Sequence, residues 1–236
     1  MRIETITCVY NEEFLLPFYL KHYDFVDRFN ILYDMKSDDK TIDILMECEK
    51  VKIFPINFPG GWNSLIKQLM IQDVYNTIID DCWILNVDCD EFAFIKSLSN
   101  TNSSICRVDF YNVFRHVTEE DLDIKKSIKE QRCFGYLDSN YSKPILVKSG
   151  LDISWVPGNH LLTKPAISNS IIPTACIGAH WENADPSFCV NRRYKNRKQH
   201  ISKYNTYQGY TIHNQYITEQ QVIDYCKEHE NDPKLW

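Results

Sequence analysis

Strand-like and helix-like stretches alternate four times in the first 94 residues of this chain, and that rhythm limits the fold more than any other feature. Residues 3–10, Ile-Glu-Thr-Ile-Thr-Cys-Val-Tyr, are β-branched and aromatic and read as a strand. A helix follows, opened by Asn11-Glu12-Glu13 with acids where the N-terminal dipole favours them, and it runs past Pro17 to about Tyr23. Strands over 28–33, 51–56 and 83–87 then alternate with helices over 41–48 and 62–79. In the last of these helices Leu65, Leu69, Ile71 or Gln72, and Tyr75 or Asn76 recur at helical spacing as the expected buried face. Such alternation marks a parallel sheet covered by helices.

Beyond Phe94 the rhythm changes. A polar loop over 97–104 precedes a strand over 105–114, and residues 116–131 are charged and irregular. Short strands are expected over 143–148, 153–156 and 175–181, and Thr218-Glu219-Gln220-Gln221 fits a capping box that starts a last helix. The expectation is one α/β domain over 1–236, with a mixed sheet flanked by helices and a C-terminal helix. Within it, 1–95 forms one half, and 96–236 forms the other.

Composition narrows the function. Of 236 residues, 44% are apolar and 25% charged, which suits a folded core. No run approaches the roughly 20 apolar residues of a membrane-spanning helix. The first residues, Met-Arg-Ile-Glu, lack the core of a signal peptide. Nine cysteines without a Cys-x-x-Cys pair then read as reduced thiols in a cytoplasmic protein. The net charge is −6, yet from Pro186 to Thr218 there are six Lys and Arg residues and no acid. Arg192, Arg193, Lys195, Arg197, Lys198 and Lys203 supply that charge. One compact basic segment in an acidic chain argues against general nucleic-acid binding, which uses a broad basic face, and suits a small polyanion such as a diphosphate. A solvated helix face is the plainer alternative. Average usage would give about 16 glycines, but the chain has seven, and Gly158-Asn159-His160 and Gly178-Ala179-His180 each place one two residues before a histidine.

In open α/β sheets, ligands bind beyond the carboxyl ends of the strands. Tyr10 to Glu13, Asp34 to Asp39, Pro59-Gly60-Gly61 and Asp88-Cys89-Asp90-Glu91 should converge there. Three of the four segments are acidic, and carboxylates held together repel unless a cation compensates them. Asp88 and Asp90 end an apolar strand and, two residues apart, point to one side of an extended chain. Oxygen ligands of this kind suit Mg²⁺ or Mn²⁺.

Three segments together resemble family 2-type nucleotide-sugar glycosyltransferases of the GT-A, Rossmann-like fold: Val9-Tyr10-Asn11-Glu12-Glu13, Tyr33-Asp34-Met35-Lys36-Ser37-Asp38-Asp39-Lys40-Thr41, and Trp83 to Phe92. The chain departs from the group's pattern at Met35, where Asn is usual, and at Lys40, where Gly is usual. The resemblance is strongest over 3–95. It implies a metal-dependent, inverting transfer of a sugar from a nucleoside diphosphate, with uridine the expected base, to a hydroxyl of a glycan or glycoconjugate acceptor. It places Tyr10 and Asn11 in the nucleotide pocket, Asp34 on the base, Asp88 on the ribose or metal and Asp90 on the metal. It also gives His180 to the metal shell before a basic lid, where Arg192, Arg193 and Arg197 would close over the diphosphate. Glu12 and Glu13 read as first-turn helix acids, and Asp39 as a turn or capping residue. The general base is open. His160 and Asp109 are the candidates, with Asp152 behind them. Trp155 and Trp181 could stack on sugar faces or simply pack.

Two other readings compete. A nucleotidyltransferase would make a nucleotide-sugar on a similar sheet, but such enzymes usually carry a glycine-rich phosphate loop after the first strand, and no glycine occurs here before Gly60. A non-catalytic module would keep the donor pocket without a working base.

Overall fold

A computed structural model of the chain describes residues 1–79, 81–95, 103–163, 174–208 and 217–236. The loop expected over 97–104 lies mostly outside the described residues, as does the stretch 209–216 of the acid-free segment.

The first half is the expected alternation: β1 (Arg2–Val9), α1 (Leu16–His22), β2 (Arg28–Asp34), α2 (Thr41–Met46), β3 (Val51–Ile56), α3 (Ser64–Thr77) and β4 (Cys82–Asn86). The four strands pair in parallel in the order β3-β2-β1-β4, with Val9 opposite Tyr33 and Asp34 opposite Ile56. Helices cover both faces, so β4 is buried along its whole length, as its apolar sequence requires. One core lies under α1 and α2 around Val9, Tyr19, Phe29 and Leu45. The other lies under α3 around Ile6, Leu32, Ile71 and Val74.

The second half extends the same sheet with β5 (Glu91–Ala93), β6 (Ile105–Phe114), β7 (Phe134–Leu137), β8 (Lys143–Lys148) and β11 (Thr174–His180). Between β6 and β7 lies the short helix α4 (Ile128–Gln131), and β9 (Ser154–Trp155) and β10 (Leu162–Thr163) form a separate ribbon. From β4 the sheet continues β8-β6-β11-β5, while β7 pairs with β6. β8 and β5 run antiparallel to their neighbours, and β11 runs parallel to β6. The first residues of β8 and β5, Lys143 and Glu91, therefore arrive at the edge where β1, β2, β4 and β11 end. Between Asn86 and Glu91 the chain can reach about 18 Å, while the four strand spacings from β4 to β5 amount to about 19 Å. The sheet curls to make that short crossing, and the curl gathers the strand ends into a cleft. The expected mixed α/β sheet, Rossmann-like in its first half and flanked by helices, is what the chain forms.

After β11 come α5 (Pro186–Cys189), a π-helix (Val190–Arg197), α6 (Lys198–His200), α7 (Lys203–Tyr207) and the last helix, α8 (Glu219–Glu228). Thr218 caps α8 as expected, its hydroxyl accepting from the Gln221 amide at 3.2 Å. None of the nine cysteines is in a disulfide. Among the described residues, no helix is long and apolar enough to cross a membrane.

Two local expectations need correction. α1 starts at Leu16 with Pro17 in its first turn, so Glu12 and Glu13 precede the helix and are not its first-turn acids. The buried face of α3 is Ser64, Lys67, Ile71, Val74 and Tyr75, and Leu69 is 53% exposed. Asn63 sets that phase by capping the helix, its side chain accepting from the amides of Leu65 and Ile66 at 3.0 and 3.1 Å.

Candidate functional site

The cleft at the strand ends has a volume of about 390 Å³ and is lined by Tyr10, Glu12, Lys67, Asp88, Asp90, Glu91, Tyr141, Lys143, His160, His180, Glu182, Arg192, Arg197 and His200, among others. Its rim is stitched by two of the segments that carry the family resemblance. Asn11 takes a left-handed backbone, φ 51°, which asparagine tolerates. Its side chain donates to Asp38 at 2.7 Å and accepts from the Asp38 amide at 2.9 Å. The Glu12 amide donates to Thr41 Oγ1 at 2.8 Å, and the Glu13 amide donates to Asp39 at 3.0 Å. Glu13 in turn accepts from the Lys40 amide at 3.1 Å. Asn11, expected in the nucleotide pocket, thus joins two loops, and Asp39 also holds the start of α2 through the Thr41 amide.

Buried charge fills the floor. Asp88 pairs with Lys67, and Lys143 lies 3.7 Å from its other oxygen. Burial pushes the Asp88 carboxyl up, but Lys67 and Lys143 outweigh it and hold the group well below the ordinary range. Lys143 also pairs with Glu91, whose second oxygen accepts from the Asp88 amide at 3.0 Å. Burial lowers the Lys143 pKa, while Glu91 and Asp88 more than reverse that and keep it charged.

Asp90 belongs to a different group. Arg192 pairs with it, His180 Nε2 stands 3.4 Å away and Arg197 stands 3.5 Å away. The same guanidinium reaches back to Glu12 at 2.6 and 3.0 Å. Burial alone would raise the Asp90 pKa, but Arg192 first and His180 next hold it well below the usual carboxylate value. For Glu12 burial wins over Arg192, and its pKa is raised. Arg197 bonds Glu182 at 2.5 Å, and against burial Arg197 and Arg193 bring the Glu182 pKa down to about 2. The π-helix explains how both arginines reach Asp90. Its i→i+5 hydrogen bonding places residues five apart, Arg192 and Arg197, near one face.

At the other end, Asp34 is fully buried and bonded to His200 Nε2 at 2.6 Å, while its second oxygen accepts from the Lys36 amide at 3.0 Å. The His200 ring stacks on Tyr10, with centroids 3.9 Å apart and planes 16° apart. His180 is held in place by Asn112, which lies 2.7 Å from its Nδ1, and by stacking on Tyr141 at 4.1 Å.

The structure thus brings Tyr10, Asp88, Asp90, His160, His180, Arg192 and Arg197 to one cleft, with Asp34 buried behind His200 at its edge. It does not bring Asp109 there. That residue sits along β6 with Arg107 at 3.5 Å and Thr174 at 3.4 Å. Arg193 turns away toward α8, contacting Asn183 at 3.4 Å and the Tyr225 ring. Asp152 is exposed. Trp155 packs edge-on against Tyr75, and Trp181 packs against Phe18 and Phe92, so neither is free for stacking on a sugar. Burial, with Lys143 adding to it, lowers the His160 pKa to about 4, so the ring is neutral at pH 7 and a weak base.

The expected Mn²⁺ or Mg²⁺ does not fit this arrangement. Asp88 and Asp90 are compensated by different cations, and Arg192 lies between Asp90 and Glu12. Among the described residues, no cluster of three or more His, Cys, Asp or Glu could hold a metal ion. Oxygens of Glu12 and Asp90 are buried without a partner, but the acids that carry them are already bound to guanidinium.

Sequence reasoning missed Lys67, Tyr141, Lys143, Glu182 and His200 as parts of the site, and it brought Glu12 and Glu91 to the strand ends without a role there. Lys67 had a signal, since it stands on the stripe of α3 that faces the core.

No protein-family model matches the chain. No curated protein matches it. Among solved structures it is similar to a 4-diphosphocytidyl-2C-methyl-D-erythritol synthase, with 13% identity over 63% of this chain and 75% of that one and a TM-score of 0.36. The synthase of the same name from Anaerococcus prevotii gives 11% identity over 63% and 68%, with a TM-score of 0.32. HddC from Yersinia pseudotuberculosis gives 15% over 76% and 89%, with a TM-score of 0.33. Likenesses this loose say nothing about chemistry.

Proposed function

We propose that the cleft binds a nucleoside diphosphate sugar, with uridine the expected base, and transfers the sugar to a hydroxyl of a glycan or glycoconjugate. The observation that carries this reading is the gathering of Lys67, Lys143, Arg192 and Arg197 around one cleft at the carboxyl ends of the parallel strands. Cations preorganised beside carboxylates, in a site partly closed to water, suit charge that builds on a leaving diphosphate. Tyr10 would give a ring face and Asp34 an acceptor to the base once His200, which occupies both, has moved aside. In the transfer, the acceptor oxygen attacks the anomeric carbon, and the bond from that carbon to the diphosphate oxygen breaks. The diphosphate leaves with the electron pair, and the acceptor proton passes to the His160 imidazole, which lines the cleft. No step uses a metal ion.

The test is release of UDP from a panel of UDP-sugars with glycan acceptors, comparing the natural chain with Arg197→Gln. Release should fall by about 100-fold or more in the variant, with circular dichroism unchanged. Equal rates in both, or no release from any donor, defeats the proposal.

Nucleotidyl transfer is the second reading, since the same cations around the cleft would also suit the phosphates of a nucleoside triphosphate. It predicts pyrophosphate release from CTP or another nucleoside triphosphate with a sugar phosphate or related alcohol phosphate. The turn after β1, which has no glycine, is against it. A binding module would hold UDP-sugar and release nothing.

A further inference from the structure

His200 does more than line the cleft. Its ring lies flat on Tyr10, and its Nε2 lies within hydrogen-bond distance of the buried carboxylate of Asp34. A flat heterocycle that stacks on an aromatic face and presents an N–H to an acceptor is also a description of a uracil base. The slot is therefore already filled by a side chain of the right chemistry.

Eight residues earlier, Arg192 ties the chain that leads into His200 to Glu12 and Asp90. The docking is built in detail. The Trp62 amide donates to the His200 carbonyl at 2.5 Å, and the Ser202 amide donates to the Trp62 carbonyl at 3.0 Å. Asn205, fully buried, accepts from the Ser64 amide at 2.9 Å and donates to its hydroxyl at 3.0 Å. Gly61 permits the approach, because a Cβ there would lie 2.4 Å from the His200 carbonyl oxygen.

We propose that the segment from His200 to Asn205 is an internal plug, in which His200 takes the place of the nucleotide base on Tyr10 and Asp34, so that a nucleotide binds only when the segment is displaced. This rests on the reading of Tyr10 and Asp34 as the base site. A nucleotide then meets a protein of which only a fraction is competent, and its apparent dissociation constant is raised by that fraction. Releasing the plug lowers it.

Calorimetric titration with UDP of the natural chain, His200→Ala and Asn205→Ala tests this, with hydrogen exchange at the Trp62 and Ser202 amides as a second readout. Asn205→Ala loosens the docking without touching the base slot, so it decides the matter if His200→Ala folds poorly. The expected result is binding about tenfold tighter in both variants, and loss of protection at both amides when UDP binds the natural chain. Binding to the variants alone also supports the plug. Unchanged or weaker binding in both variants, with the natural chain still binding, overturns the plug and leaves the proposed function standing. Retained amide protection in the UDP complex overturns it too. If UDP binds none of the three proteins, the base site and the plug fall together.

Discussion

Arg192 and Asp90, 102 residues apart in the chain, form an ion pair in which both side chains are buried, and the same guanidinium holds Glu12. Removing it leaves two acids facing each other out of water. Arg192→Ala should destabilise the fold by about 3–5 kcal/mol. Adding Glu12→Gln should recover part of that loss, because one uncompensated carboxylate disappears. Urea unfolding of the two single variants and the double variant measures the coupling, and strict additivity would show that the three groups do not act together.

His160 and Glu182 give pH dependence of the same sign in different windows. His160 is lowered to about 4 in the fold, so between about 6.5 and 4 the unfolded chain binds the proton and the native chain does not. Stability is therefore lost as pH falls through that range, by about 1–2 kcal/mol after allowance for the ring's partial exposure. His160→Gln should flatten this part of the curve. Glu182, lowered to about 2, contributes stability above its ordinary value that is lost only as pH falls from about 4.5 toward 2. Denaturation followed at pH 7.0, 5.0 and 3.5 separates the two.

Because the carboxylates are compensated from within, Mn²⁺ or Mg²⁺ without nucleotide should leave the melting temperature unmoved, and EDTA should do the same. Binding of either ion to the resting protein would raise it by mass action. A clear rise with Mn²⁺ alone would mean that Arg192 yields its place to the metal.

Gly61 has φ +105°, and a side chain there would strike the backbone at His200. Gly61→Ala should cost about 1–3 kcal/mol, readable as a lower urea midpoint. Gly60, with φ +73° but open space around a Cβ, should show backbone strain without the collision and lose less.

The parallel half was legible because period and order are local properties. Residues 51–56, 105–114 and 143–148 form strands with the bounds read from the sequence. Asp88 and Asp90 were legible as acids at a strand's end. What opposes them was not, since Lys143 and Arg192 approach from 52 and 102 residues beyond Glu91 and Asp90, and nothing near those acids specifies such partners. His200 was hidden for the same reason, lying 166 residues from Asp34. The phase of α3 was misread because a buried lysine scores as polar, although its stem and charge face the core.

The bonds from Asn11, Glu12 and Glu13 to the loop of Asp38, Asp39 and Thr41 run along the rim, Asn11 by its side chain and the two acids by their backbone amides. In this chain the lettering serves to join two adjoining turns. Such a signature certifies scaffolding, and the substrate must be read from the residues left over when the scaffolding is taken away.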